Sequence, residues 1–117
     1  MNILPRYDEA IIPIEKLTEY ALNPNEQPDK AFAFEIALGY NLDNVEKLIK
    51  NIIQNINKFP AKSKGNKGYG TLYEVALVLT GENGKSARVL TGWIDDVFTG
   101  EMRLVSIYVD KWKGARK

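Results

Sequence analysis

The chain has 117 residues, with 16 Lys and Arg against 15 Asp and Glu, and neither Cys nor His. That length fits one domain, since two cores would each be marginal, and the missing Cys excludes disulfides, thiolate metal sites and Cys nucleophiles. The missing His removes the usual general acid–base group, the commonest metal ligand and every Ser–His or Cys–His arrangement, so catalysis here must draw on carboxylates, Lys, Arg, Tyr and hydroxyls.

Pro13 can open a helix, because its missing N–H is not needed in the first turn. Ile14, Leu17 and Ala21 keep helical spacing, and the stretch must end by Asn23, ahead of Pro24. After a connector, Pro28 starts a second helix with Asp29 in its first turn, where the dipole favours an anion. Phe32, Ile36 and Leu38 line it, and Gly39 is a natural left-handed stop. Asn41 or Asp43 caps a third helix. Its apolar residues Leu42, Val45, Leu48, Ile49, Ile52, Ile53 and Ile56 fall at three- and four-residue steps, the strongest periodic signal in the chain.

Phe59-Pro60 ends this helical half, residues 1–58. Ala61 to Gly70, with three Lys and three Gly, reads as a mobile loop. The period then changes to two. Tyr73 to Leu79 is a β-rich run, Asn83-Gly84 a hairpin signal, Ala87 to Asp95 the returning strand, and Met102 to Val109 a strand after the Thr99-Gly100 turn. The tail from Lys111 is basic and reads as frayed. One α+β domain over residues 1–117 is therefore expected: about three N-terminal helices packed on one face of a C-terminal antiparallel meander of three or four strands, residues 59–110, followed by a basic tail at 111–117.

No run approaches the roughly 18 apolar residues of a membrane helix, and no basic-then-apolar leader opens the chain, so no membrane partner is expected. The net charge of +1 hides a split: 6 basic and 9 acidic side chains in residues 1–58, 10 basic and 6 acidic in residues 59–117. That asymmetry suits either a solvated surface or a basic face that meets an anion.

On the strands, Glu74, Arg88, Thr91, Trp93, Arg103, Ser106 and Tyr108 fit a plain core poorly. Alternation divides each strand into two sets, neither wholly polar, which leaves the open side undetermined. A carboxylate, guanidinium groups, a hydroxyl and a phenol on adjacent strands are what RNA cleavage without His would use. Glu74 would take the 2′-hydroxyl proton, Arg88 and Arg103 would clamp the phosphate, and Tyr108 or Lys30 would supply a proton or a charge. A structural ion-pair cluster would use the same residue types. Asp95-Asp96 reads as a hairpin tip rather than a cation site, and neither a metal nor any other cofactor is expected. The stretch KGNKGYG lacks the phosphate-loop pattern, though its backbone N–H groups with Lys62, Lys64 and Lys67 could wrap an anion.

Six blocks in order, LPRYDEAIIP, KLTEYALNP, DKAFAFEIALGYNL, GYGTLYEV, LTGENGKSARVLTGWI and GEMRLVSIYV, span nearly the whole chain. In them the chain resembles a family of uncharacterised bacterial domains found as small phage-associated proteins and at the C-terminal tips of polymorphic toxins, phage minor-head fusions included. The family's recurring positions are Lys30, Phe34, Gly39, Tyr73, Thr91, Trp93, Arg103 and Tyr108, with Ser106 standing where Thr is expected. Of these, Tyr73, Thr91 and Trp93, with Ser106, are the implied substrate-binding residues. The resemblance implies a metal-independent RNase-like toxin domain, in the manner of the barnase, EndoU, colicin and RelE-like group. It would act on RNA in a bacterial cytoplasm, be delivered as the tip of a larger secreted toxin, and be opposed by a cognate immunity protein. The alternative is a non-enzymatic phage accessory, immunity-type or capsid-associated interaction module.

Overall fold

Pro28 and Gly39 bracket the first regular helix, as their backbone chemistry requires. The computed structural model describes residues 1–110, and the basic tail at 111–117 lies outside the described residues. Helix α1 runs Pro28–Leu38, and Gly39 follows at φ 77°, a left-handed stop that donates its N–H to Glu35 O. Asn41 then builds a reciprocal cap. Its side chain accepts from Asp43 N at 2.8 Å while Asn44 Oδ1 accepts from Asn41 N at 2.8 Å. Helix α2, Val45–Asn55, buries Val45, Leu48 and Ile52 and leaves Ile53 half exposed.

The helix expected from Pro13 to Asn23 forms over residues 15–21, opening with an α turn in which Thr18 N donates to Ile14 O and widening to π type at Leu17–Ala21, where Leu22 N donates to Leu17 O. The wider i→i+5 turn swings Leu22 inward beside Leu17 and Ala21, all three buried, where α geometry would carry Leu22 away. Tertiary burial decides here against local spacing.

Four strands follow: β1 Ala61–Asn66, β2 Gly70–Thr80, β3 Ser86–Asp96 and β4 Met102–Asp110. They form one antiparallel meander in the order β1-β2-β3-β4. The fold is α+β, N-terminal helices against a C-terminal four-stranded sheet. The segment expected as a mobile loop is instead strand β1. Its Lys and Gly residues are poor strand formers, but at an edge only one side of the backbone must pair, and β2 provides that pairing.

The helices cover one face, over a core that includes Leu4, Phe34, Leu38, Leu48, Ile52, Val75, Leu77, Val89 and Trp93. The β2–β3 turn is clamped to α1: Asn83 N donates to Leu38 O, and Gly81 lies so close that a Cβ there would meet that carbonyl oxygen at 2.0 Å. Residues 2–11 form a strap between the sheet's two edges. Asn2 O accepts from Ala61 N on β1, and Ile11 bridges β4 through Met102 O and Leu104 N. Between these ties Leu4 is buried in the core and Arg6 pairs with Asp95. Among the described residues no helix is long and apolar enough to cross a membrane.

Candidate active site on the open face of the sheet

The face turned away from the helices is defined by β2 and β3. Val75, Leu77 and Leu79 pair with Thr91, Val89 and Ala87 and point to the core, so Leu72, Glu74, Leu90 and Gly92 point away from it. On β4 the simple alternation fails. Gly92 pairs with Ser106 but Trp93 pairs with Leu104, so Val105 is one residue too many and forms a β-bulge. Past it the strand changes sides. Ile107 and Val109 join Met102 and Leu104 in the core, and Ser106 and Tyr108 turn outward. The grouping of Met102 and Leu104 with Ser106 and Tyr108, which strict alternation gives, is thereby corrected.

These outward residues line a concavity of about 360 Å³ with Lys64 and Lys67 from β1 and the turn after it. Lys64 is itself the bulged residue of β1, and its Nζ stands 4.0 Å from Glu74 Oε1. The floor is Gly92. A Cβ there would lie 2.4 Å from Ser106 Oγ, so only the bare backbone leaves the hollow open. Leu72, Leu90 and Val105 supply apolar wall.

Of the residues singled out in the sequence, Glu74, Lys64, Lys67, Ser106 and Tyr108 meet in this hollow. Lys30 reaches its rim from α1, its ammonium 5.7 Å from the centre of the Tyr108 ring. Lys62 pairs with Glu74 across the ladder but does not line the hollow. Tyr73, Thr91 and Trp93 border the hollow but belong to the core face of the sheet. Trp93 Nε1 donates to Thr91 Oγ1 at 2.8 Å, and Thr91 Oγ1 donates to Val75 O at 2.8 Å, both side chains about 1% exposed. That chain satisfies two polar groups inside the core and leaves neither for a ligand.

Neither arginine forms the expected clamp. Arg88 faces Asp110 at 3.7 Å. Arg103 Nη1 donates to Asp96 Oδ2 at 2.7 Å, away from the hollow. Asp96 Oδ1 in turn accepts from Phe98 N at 2.7 Å and Thr99 N at 3.2 Å, closing the β3–β4 turn. The Arg103 guanidinium, with these two amides, holds the Asp96 carboxyl below the usual carboxylate range. Asp95 is taken by Arg6, so the Asp95-Asp96 pair serves the turn and its anchor. Among the described residues no three carboxylates gather as a metal site.

Sequence reasoning missed Gly92, Leu72, Leu90 and Val105. A lone Gly inside a β-rich run is a sign of bulge or close approach, and it marked this place. The apolar wall residues carried no such sign, being indistinguishable from core.

A family model described as a domain of unknown function, DUF6883, matches residues 3–111. No curated protein and no solved structure matches the chain.

Proposed function

We propose, for a chain that belongs to the DUF6883 family, that the open-face hollow is a metal-independent RNA-cleaving site, working as a toxin domain inside a bacterial cell. The observation that carries this reading is the convergence of one carboxylate, two ammonium groups, a hydroxyl and a phenol on a single concavity whose floor is a glycine.

Glu74, Lys64, Lys67 and Tyr108 each have a place in the reaction. Glu74 accepts the 2′-hydroxyl proton as that oxygen attacks the adjacent phosphorus. Lys64 and Lys67, in place of the two arginines, face the charge that develops on the phosphoryl oxygens. The bond from phosphorus to the 5′-oxygen breaks as Tyr108 gives that oxygen a proton, leaving a 2′,3′-cyclic phosphate and a 5′-hydroxyl. Tyr108 recovers its proton and Glu74 loses one through water. Leu72 and Leu90 offer a base an apolar surface.

The test is cleavage of single-stranded RNA in excess EDTA, with Glu74→Gln as the control. Loss of a positioned base lowers the rate about 10²–10⁴-fold, with products ending in a cyclic phosphate. Cleavage at the parent's rate by Glu74→Gln overturns the assignment, and so does activity that EDTA abolishes and Mg²⁺ restores.

One observation favours the alternative interaction module. Val97 N donates to Tyr69 O, which brings Tyr69, Val97 and the 80% exposed Phe98 together at one end of the sheet. Inducible expression separates the readings. Growth arrest that survives Phe98→Asp but not Glu74→Gln supports the enzyme, and the reverse supports the module.

A further inference from the structure

Strand β4 is the boundary between two hollows. On the sheet's open face Val105, Ser106 and Tyr108 line the Glu74 concavity, and Val105 and Ser106 also line a smaller groove of about 190 Å³ on the helical side of the same edge. The bulge at Val105 lets one edge segment serve both. The second groove is walled by Lys16, Tyr20, Gln27 and Lys30 and includes no carboxylate. Lys16 stands 5.8 Å from the centre of the Tyr20 ring, and Lys30 spans the boundary to the Tyr108 ring. Neither lysine forms an ion pair among the described residues. Tyr20 is 48% exposed and Tyr108 38%.

Cations beside exposed aromatic faces, with no competing acid, are the recognition chemistry of single-stranded nucleic acid: bases stack on rings while ammonium groups follow the phosphates. We propose that this groove is a second subsite of the same site, which holds the nucleotide next to the one in the Glu74 hollow. Its base lies against Tyr20 and its phosphate faces Lys16 and Lys30. The proposal rests on the RNA reading of the hollow and narrows it to a single strand of several nucleotides, because a duplex could not pass one of its strands over the sheet edge between the two hollows.

The test uses Lys16→Ala/Tyr20→Ala, which leaves every residue of the Glu74 hollow in place and changes two side chains outside the core. Binding of a labelled ten-nucleotide single strand and of a mononucleotide is measured by anisotropy in the Glu74→Gln background, and cleavage of the ten-mer in the active background. The double variant is expected to weaken ten-mer binding about tenfold or more, with a corresponding rise in KM, a shallower salt dependence and unchanged mononucleotide binding. Equal losses for both ligands, no loss for either, or equal affinity for a duplex overturn the subsite. Cleavage that persists with KM unchanged in the double variant overturns the subsite alone and leaves the hollow as the active site. Length-dependent binding that Lys16→Ala/Tyr20→Ala weakens, without cleavage by the parent, supports the subsite and overturns the cleavage reading.

Discussion

At Asp96 one carboxylate takes three hydrogen bonds, two from the backbone of its own turn and one from Arg103. Because its folded-state pKa lies below the unfolded value, its contribution to stability is present above the unfolded pKa of about 3.9 and is lost as pH falls through the folded value. Asp96→Asn keeps the acceptor for Phe98 and Thr99 but drops the charge. Thermal melts of parent and variant should therefore differ at pH 6 and converge as the pH falls from about 4 towards 2, and a constant difference would show that charge is not the cause. Gly92 gives the corresponding test of the hollow. In Gly92→Ala the new methyl meets Ser106 Oγ, which can rotate away, so the melting temperature should shift little while RNA cleavage falls at least tenfold. Adding Ser106→Ala relieves the crowding, since Ser106 Cβ lies 3.7 Å from the new methyl. That double variant should regain any lost stability, and Ser106→Ala alone, which leaves the floor unraised, should cleave better than the double variant.

Helix α2 shows how a clear pattern can still mislead in detail. Leu42, Val45, Leu48, Ile49, Ile52, Ile53 and Ile56 form one broad stripe in the sequence, yet Leu42 and Ile53 are more than 40% exposed while Leu48 and Ile52 are fully buried. Ile52→Ala should cost about 2–5 kcal/mol and Ile53→Ala well under 1, a difference that denaturant unfolding reads directly. Elements bounded by capping and turn chemistry were legible: α1 between Pro28 and Gly39, the Asn41 cap, and the hairpin at Asn83-Gly84, although Phe32 and Ile36, expected to line α1, are 58% and 38% exposed while Ala31, Ala33, Phe34 and Ala37 are buried beside Leu38. Three features were not. Strand β1 is made by its neighbour's backbone, and its own Lys and Gly argue against it. The turn at Leu17–Ala21 departs from helical spacing to bury Leu22. The bulge at Val105 is marked in the sequence only by Gly92 on the facing strand, and it decides that Ser106 and Tyr108 face outward. For the same reason the site was legible only in part. Glu74, Lys64, Lys67, Ser106 and Tyr108 converge, whereas Arg103 and Arg88 read identically in sequence and are held by Asp96 and Asp110.

Across the whole molecule the strap of residues 2–11 ties what the meander leaves open, since a four-stranded sheet has two unpaired edges. Ile11→Pro tests it cleanly. Ala10 is already extended at φ −66°, ψ 139°, which suits a residue before proline, and the change removes the N–H that donates to Met102 O. A loss of about 1 kcal/mol, roughly 4 °C in melting temperature, should come with self-association on size exclusion as the β4 edge is freed. An unaltered monomer would mean that the helices alone guard the edge.

The strap also sets a timetable for synthesis. The β-strands pair with sequence neighbours and can zip as they emerge, but Ile11 has no seat until Leu104 has left the ribosome. At about 5–20 residues per second the leading segment waits roughly 5–20 s for the β4 part of its seat. Leu4 stays in water for much of that interval. The strap, translated ahead of the sheet it ties, is thus among the last segments to dock, and a chain halted before residue 102 carries a latch with half its catch missing.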